Sequence, residues 1–509
     1  MVVSHSEFPS GSTSEFSPAV TVIDPFMVNN TNDSGQGSLR QAILNANASL
    51  NSGGPDQITF AIPGAGPHII QPLTDFPQIT EAVVIDGLSQ TNATCGTNGF
   101  SDRALKVVLD GSLITYVALG PNTSAFDISQ NTNDVTIQGL VINSFPGGGI
   151  QIGMGNSGSV IRCNYIGTDE TGLVARGNFG SGVQIDGFFA VSTGNVIGGA
   201  SATDGNLISA NGHDEIHLEP GGDNNTIANN LIGTDATGVA ILPAPNGYFG
   251  DPNIDNFSNL IGLGSNQGAG NTISGNVFGG FGNAVELVSR FSLGEGQRGG
   301  ANVFQGNFVG TDRTGAINLG NGVGVSVAGD DAAIGSEYIG GPNPAHANLI
   351  MNNGGMGVLV QGAPDHVVEG NVIEANDTGV SLNGTAVDVS VLGNVISFNN
   401  TGVLVDASDR AVVRDNTISG NQGDGILLRN GADDASILLN RVGVGVDGVT
   451  NEGNAAAGIW VETSQNTLIQ DNVVSGNGDS GIVLTGGASD NIVLDNIAGL
   501  DVSGSILVP

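Results

Sequence analysis

The sequence predicts an all-β chain, a single-stranded right-handed parallel β-helix (a solenoid) with a short N-terminal capping helix. Three observations predict it. Gly supplies 83 of 509 residues against an average of roughly 7%, while aromatic residues make up 5% and charged residues 12%. The phrase Asn164-Tyr-Ile-Gly-Thr-Asp-Glu-Thr-Gly172 returns at Asn230 to Gly238 and at Asn307 to Gly315, with a worn copy at Asn440 to Gly448. Finally, Asn followed within two residues by Ile or Val, as Asn-x-Ile/Val, recurs at Asn371, Asn394, Asn416 and Asn440, and the repeat resumes at Asn472 and Asn496. Steps of 22 to 24 residues suit one turn of a three-sided coil, and the 66 residues from Asn164 to Asn230 suit three such turns.

Composition sets outer limits. The 39% apolar content is too high for a disordered polymer, and Gly shows no every-third-residue register, which removes collagen. Acidic residues outnumber basic ones 48 to 12, for a net charge of −36, and Lys106 is the only lysine. A nucleic-acid partner is excluded, because nothing here forms a basic stripe to neutralise phosphates. The same field repels anionic membranes and polyuronates unless cations bridge them. No apolar run reaches the ~20 residues of a membrane span, so no membrane insertion is expected. Cys95 and Cys163 lie far apart in sequence and imply no disulfide framework.

From the N-terminus, Met1 to Pro25 lacks the basic and apolar parts of a signal peptide, and residues 1–27 are expected to form an extension. Residues 28–130 are expected to hold the cap and first coils. Ser38 is a helix N-cap with Gln41 completing a capping box, and Leu39, Ala42, Ile43 and Ala46 form the apolar face that plugs the first coil. Entry strands follow at Asp56 to Ile62 and Ala82 to Gly87. Residues 131–498 are the coils, and 499–509 a final strand or tail.

Along the coils, Gly-Ile/Val-x-Ile/Val-x recurs at Gly149, Gly182, Gly322, Gly357, Gly379, Gly402, Gly425, Gly458 and Gly481. Degenerate copies start at Glu215 and Ala284, and a looser one is Asp251 to Asp255. Alternation turns the Ile/Val positions inward and the x positions outward. The recurring Asn is expected to form an internal amide ladder at one corner, in left-handed backbone.

These segments carry a resemblance. Asn30 to Leu44, Asp56 to Pro63 and Val84 to Gln90 resemble the start of bacterial right-handed β-helix repeat proteins, with a Ser-Leu-Arg-Glu/Gln-Ala segment followed by Gly-Thr-Asp-x-Thr-Gly cassettes. The likeness covers about residues 28 to 498. It implies the architecture of the pectate-lyase-like superfamily, whose members include lyases, hydrolases, epimerases and phage tailspikes. It also implies a secreted or surface location. Shared fold does not transfer chemistry.

The outward positions nominate two regions. In the first, Glu215, His217 and Glu219 are expected to point outward together, with Asp186 and Asp255 on neighbouring coils about 4.8 Å apart. Stacked carboxylates raise one another's pKa, and glycosidases need two carboxyl groups ~5–9.5 Å apart, so these five are the catalytic candidates. The competing reading is a solvated acidic face. A lyase would need cationic groups, and Arg162, Arg176 and Arg290 stand alone in the sequence. In the second region, Leu359, Leu404, Leu427, Trp460 and Val483 are expected to form an exposed apolar stripe, interrupted by Ser381. It is either an interface or a glycan-stacking surface, or is covered by an inserted loop such as Val444 to Asn454.

Asp169, Asp235 and Asp312 of the cassettes are read as turn-closing residues and, in second place, as calcium ligands; no cofactor is required. The C-terminal end lacks a capping helix, so cover by an adjoining domain or head-to-tail self-association is expected. The function expected from these features is an extracellular or cell-surface structural, adhesive or glycan-contacting module. The alternative is a polysaccharide-active enzyme, a hydrolase before a lyase, and a trimeric tailspike-like protein is a weaker one.

Overall fold

The computed structural model describes residues 24–97, 100–115, 124–187, 189–219, 221–242, 261–262, 272–274, 276–280, 283–289, 302–329, 336–362 and 364–508. Within them the chain winds as a right-handed parallel β-helix with three sheets of 16, 15 and 13 strands. One complete coil shows the pattern. Val367–Glu369 lies in the first sheet, Val372–Glu374 in the second and Thr378–Asn383 in the third, and the chain then returns to Ser390–Leu392 beside Val367–Glu369. Ile and Val from all three sheets fill a continuous interior from Val28 to Val474.

Two corners of the coil are built from amides, where one was expected. Between the first and second sheets, each of Asn164, Asn206, Asn230, Asn276 and Asn307 donates through its backbone N–H and Nδ2 to Oδ1 of the next. The row continues through Asn348, Asn371, Asn394, Asn416, Asn440, Asn472 and Asn496. Between the second and third sheets a parallel row runs from Asn321 through Asn353, Asn376, Asn399, Asn421 and Asn454 to Asn477. The left-handed backbone falls on the residue before the ladder Asn, as at Gly370 (φ 68°), Asp415 (φ 57°) and Asp471 (φ 54°). That residue turns the corner, and the Asn amide fills the space so made.

The third sheet begins most coils on glycine, where the coils approach closely. A Cβ on Gly379 would lie 2.6 Å from the carbonyl oxygen of Gly402 and 2.6 Å from Ile396 Cγ2. The register moves one copy: Val325 pairs with Val358, so the glycine of that coil is Gly324 rather than Gly322.

The cap is helix α1, Leu39–Ala48, which buries Leu39, Ala42, Ile43 and Ala46. Ser38 Oγ accepts from the Gln41 N–H, but the Gln41 side chain turns to Asn45 Oδ1, so only half of the capping box forms. The entry strands are Asp56–Phe60 and Val83–Asp86. Cys95 and Cys163, whose sequence separation implied no disulfide framework, are joined in a disulfide. A loop after the second entry strand folds back over the outer face of the second sheet, so the 68 residues between them in sequence vanish in space. At the other end, the stretch 499–508 repeats the cassette: Leu500 bridges Leu507 as Thr168 bridges Ala175. Among the described residues no helix is long and apolar enough to cross a membrane.

Candidate functional site

Of the five catalytic candidates, the outward face of the third sheet brings together Asp186, His217 and Glu219. Asp127, Gln151, Gln184 and His217 are register partners on four successive strands. Each strand alternates, so Ile150, Ile152, Val183, Ile185, Ile216 and Leu218 go to the core and these four stay on the surface, half-buried beside their neighbours. Asp186 stands in the adjacent outward row. Its Oδ2 accepts from Gln151 Nε2 at 2.7 Å and its Oδ1 from Gln184 Nε2 at 2.8 Å. Burial pushes the Asp186 carboxyl above the usual aspartate range; the two amide donors work against this, and the charges of Glu219 and Asp127 add to the rise.

His217 lies between two carboxylates, with Nδ1 2.6 Å from Asp214 Oδ2 and Nε2 3.1 Å from Glu219 Oε1. Burial alone would lower its pKa, but the hydrogen bonds and charges of Asp214 and Glu219 outweigh burial and raise it to about 9. The ring is therefore an imidazolium at neutral pH with both N–H groups engaged. It can hold the Glu219 carboxyl group in place, and it cannot serve as a general base.

Glu215 does not join this face. It occupies the position that is glycine in its siblings, and its side chain turns inward and is completely buried. There it takes the place of the next ladder amide, accepting from Asn211 N at 3.3 Å and from Asn211 Nδ2 at 2.5 Å. The alternation rule fails here because the glycine position lies before the strand proper, where the backbone turns its Cα–Cβ direction into the corner. Burial pushes this carboxyl up to about 8, against the hydrogen bonds from Asn211. Asp255 lies outside the described residues. The strand that pairs with Ile216 and His217 is Ile261–Gly262, so the Asp251 to Asp255 copy is not the neighbour that sequence suggested. Asp127 was missed, because it belongs to a copy that starts on Ala125 instead of Gly.

The apolar row exists as a register column: Leu359, Ser381, Leu404, Leu427, Trp460 and Val483 pair in that order. It is less exposed than expected. Leu359 is buried at 8% exposure, and Leu404, Leu427, Trp460 and Val483 are half-buried. The loop after Val444 does not cover it. Val444 packs with Val473 and Val508, and Glu452 accepts from Ser419 Oγ, on the second-sheet side.

The cassette aspartates are occupied by their own turns. Asp169 accepts from Thr171 Oγ1 and the N–H groups of Leu173 and Val174. Asp235 accepts from the N–H and hydroxyl of Thr237, and Asp312 from Thr314 Oγ1 and the N–H groups of Ala316 and Ile317. Among the described residues no three His, Cys, Asp or Glu side chains converge as a metal site would require.

The model of the family described as periplasmic copper-binding protein (NosD) matches residues 340–499. The match falls on the most regular coils. No curated protein sequence matches the chain. Among solved structures, a double mutant of the periplasmic alginate epimerase AlgG is similar at 12% identity, over 71% of this chain and 77% of that one, with a TM-score of 0.37. The A-module of the Azotobacter vinelandii mannuronan C-5 epimerase AlgE4 is similar at 13% identity, over 91% and 97%, with a TM-score of 0.38. Tailspike protein 3 of bacteriophage CBA120 is similar at 10% identity, over 92% and 60%, with a TM-score of 0.35.

The imidazole and thiol donors do not give the matched stretch a copper site. Its imidazoles are His346, on a surface turn, and His366, enclosed in the coil. His366 Nδ1 accepts from the Glu337 N–H, and burial lowers its pKa to about 4. Both cysteines lie outside the stretch and are bonded to each other. No step is derived through copper.

Proposed function

We propose that this chain is an extracytoplasmic β-helix that contacts a neutral glycan through the outward face of its third sheet, around Asp127, Gln151, Gln184, Asp186, His217 and Glu219. The observation that carries the reading is the fixed polar array itself. Gln151 and Gln184 are both tied to Asp186, and His217 to Glu219, on strands held at about 4.8 Å. Pre-positioned hydrogen-bonding groups lose little entropy when a hydroxyl-rich ligand docks. The carboxylates and the net charge of −36 disfavour a polyuronate. The disulfide supports an oxidising compartment outside the cytoplasm. What the solved neighbours' names say of alginate points to carbohydrate as a ligand class for such coils and to no particular sugar. Head-to-tail association through the last coil, where Ile492, Val493 and Leu494 are exposed, belongs to the same proposal.

Calorimetry with neutral oligosaccharides tests the reading. Wild type is expected to bind, with Gln184→Ala weakened about tenfold by loss of a fixed amide; absence of binding to any neutral glycan overturns it. A second reading, a hydrolase, is favoured by the raised pKa of Asp186 on the same face as a second carboxyl group, that of Glu219. Under it Asp186→Asn and Glu219→Gln each abolish release of reducing ends while binding persists. If wild type releases none from a bound glycan, the module reading stands alone.

A further inference from the structure

Far along the same sheet face stands the only tryptophan of the chain, Trp460. His217 and Trp460 occupy one outward row, connected in register through Gly262, Glu286, Ser326, Leu359, Ser381, Leu404 and Leu427. Eight strand spacings separate them, about 38 Å. The indole is half-buried between Leu427 and Val483, and its Nε1 is enclosed without a hydrogen-bond partner. An enclosed, unpaired N–H is unfavourable, and an aliphatic side chain would avoid it. What an indole adds at this place is a wide aromatic surface at an outward, half-buried position of the sheet.

The surroundings decide what that face can hold. The apolar strip is one side chain wide, and none of its members is more than half exposed. Such a strip falls far short of the ≈800 Å² per partner of a stable protein interface. Beside it runs a polar row in register: Asp406, Arg429, Glu462 and Thr485. Arg429 is held by Asp406 Oδ2 at 2.7 Å, and Glu462 is exposed. A narrow apolar face edged by donors and acceptors matches a pyranose ring, whose C–H face is apolar and whose rim is hydroxyl.

We infer that Trp460, with Leu427 and Val483 beneath the ligand and Arg429 and Glu462 at its edge, is a second glycan subsite for a neutral pyranose, separate from the Asp127–Glu219 face. The inference rests on the glycan reading for its ligand class and not for its location. A short oligosaccharide cannot span 38 Å, so the two subsites take separate short ligands, and a long polymer engages both with a gain in avidity.

With one tryptophan in the chain, its fluorescence reports on this subsite alone. Cellohexaose, mannohexaose and laminarihexaose are titrated into the full chain, with oligoguluronate as the anionic control. At least one neutral hexaose is expected to shift Trp460 emission saturably. Calorimetry should then show about tenfold weaker binding at that subsite for Trp460→Ala, largely restored in Trp460→Phe. If calorimetry detects binding that Gln184→Ala weakens while Trp460 emission stays fixed and Trp460→Ala binds as wild type, the second subsite is wrong and the proposed function stands. If Trp460 responds and Gln184→Ala is without effect, the subsite stands and the Asp127–Glu219 face is wrong. If no neutral hexaose binds by either measurement, both fall.

Discussion

At the residue scale, burial and the Asn211 donors pull Glu215 in opposite directions, and burial prevails, leaving a carboxyl group that titrates near pH 8 inside an amide ladder. Its folded pKa is raised above its ordinary 4.5. The stability it supports is therefore complete below that value and is lost as pH rises towards 8. Glu215→Gln, which keeps the shape and drops the titration, should match wild type in melting temperature at pH 4 and exceed it at pH 8. Equal pH slopes for the two proteins would show that Glu215 is not protonated in the fold. His217 has the same sign of linkage for a different reason: its pKa rises from 6.5 to about 9, so its ion pairs stabilise fully below pH 6.5 and are lost as pH passes through 9. His217→Asn leaves Asp214 and Glu219 without their cation and should cost on the order of 2 kcal/mol at pH 6 and much less at pH 9.5 by chemical denaturation. A cost independent of pH would place the contribution in packing.

At the scale of elements, the ladders dominate. Asn394 donates to Asn416 through two hydrogens, gives a third contact to the Val368 carbonyl, and accepts from Asn371. Asn394→Ala should cost about 3 kcal/mol in urea unfolding, because it leaves buried backbone groups unpaired. Asn496→Ala, at the last rung, should cost under about 1 kcal/mol. Equal costs would deny the ladder its interior role. The disulfide closes 68 residues, and chain entropy assigns it about 4 kcal/mol, which Cys95→Ser with Cys163→Ser should remove.

Spacing made the ladder at the first corner legible where its rungs follow in steps of 22 to 24 residues, from Asn371 to Asn440; earlier rungs are up to 46 residues apart and gave no such signal. The second ladder was hidden. Asn376 and Asn399 follow no fixed phrase, and only their position five residues after the first-ladder Asn betrays them. The disulfide was invisible because sequence distance says nothing of a loop folded across a sheet. The inward turn of Glu215 was misread for a related reason: strand alternation governs Ile216 to Leu218, and one residue earlier the corner geometry takes over. Asp186, His217 and Glu219 were placed correctly relative to one another because they lie inside the alternating segment.

At the scale of the molecule, the interior is one continuous apolar core built from three sheets, from Val28 to Val474, so each coil is supported by two neighbours except the outermost. α1 covers the first coil. The last coil leaves Ile492, Val493, Leu494 and Leu484 between 44% and 57% exposed. Hydrogen exchange should therefore be graded, with amides of Ile482 to Ala498 exchanging first and those near Asn394 last. Uniform protection along the axis would mean that the last coil is covered in solution, and light scattering would then report an oligomer.

Neighbouring rungs of the first-corner ladder are separated by as few as 22 residues, from Asn394 to Asn416, and by as many as 46, from Asn230 to Asn276, yet the backbone contact is 2.9 Å in both. The ladder thus acts as a ruler that counts coils and ignores chain length. Added sequence between two rungs leaves the pitch of the rod unchanged. A coil can lengthen, acquire a new loop and display it at a fixed height without notifying its neighbours. The fold is in this sense a rack on which surface chemistry is exchanged one shelf at a time.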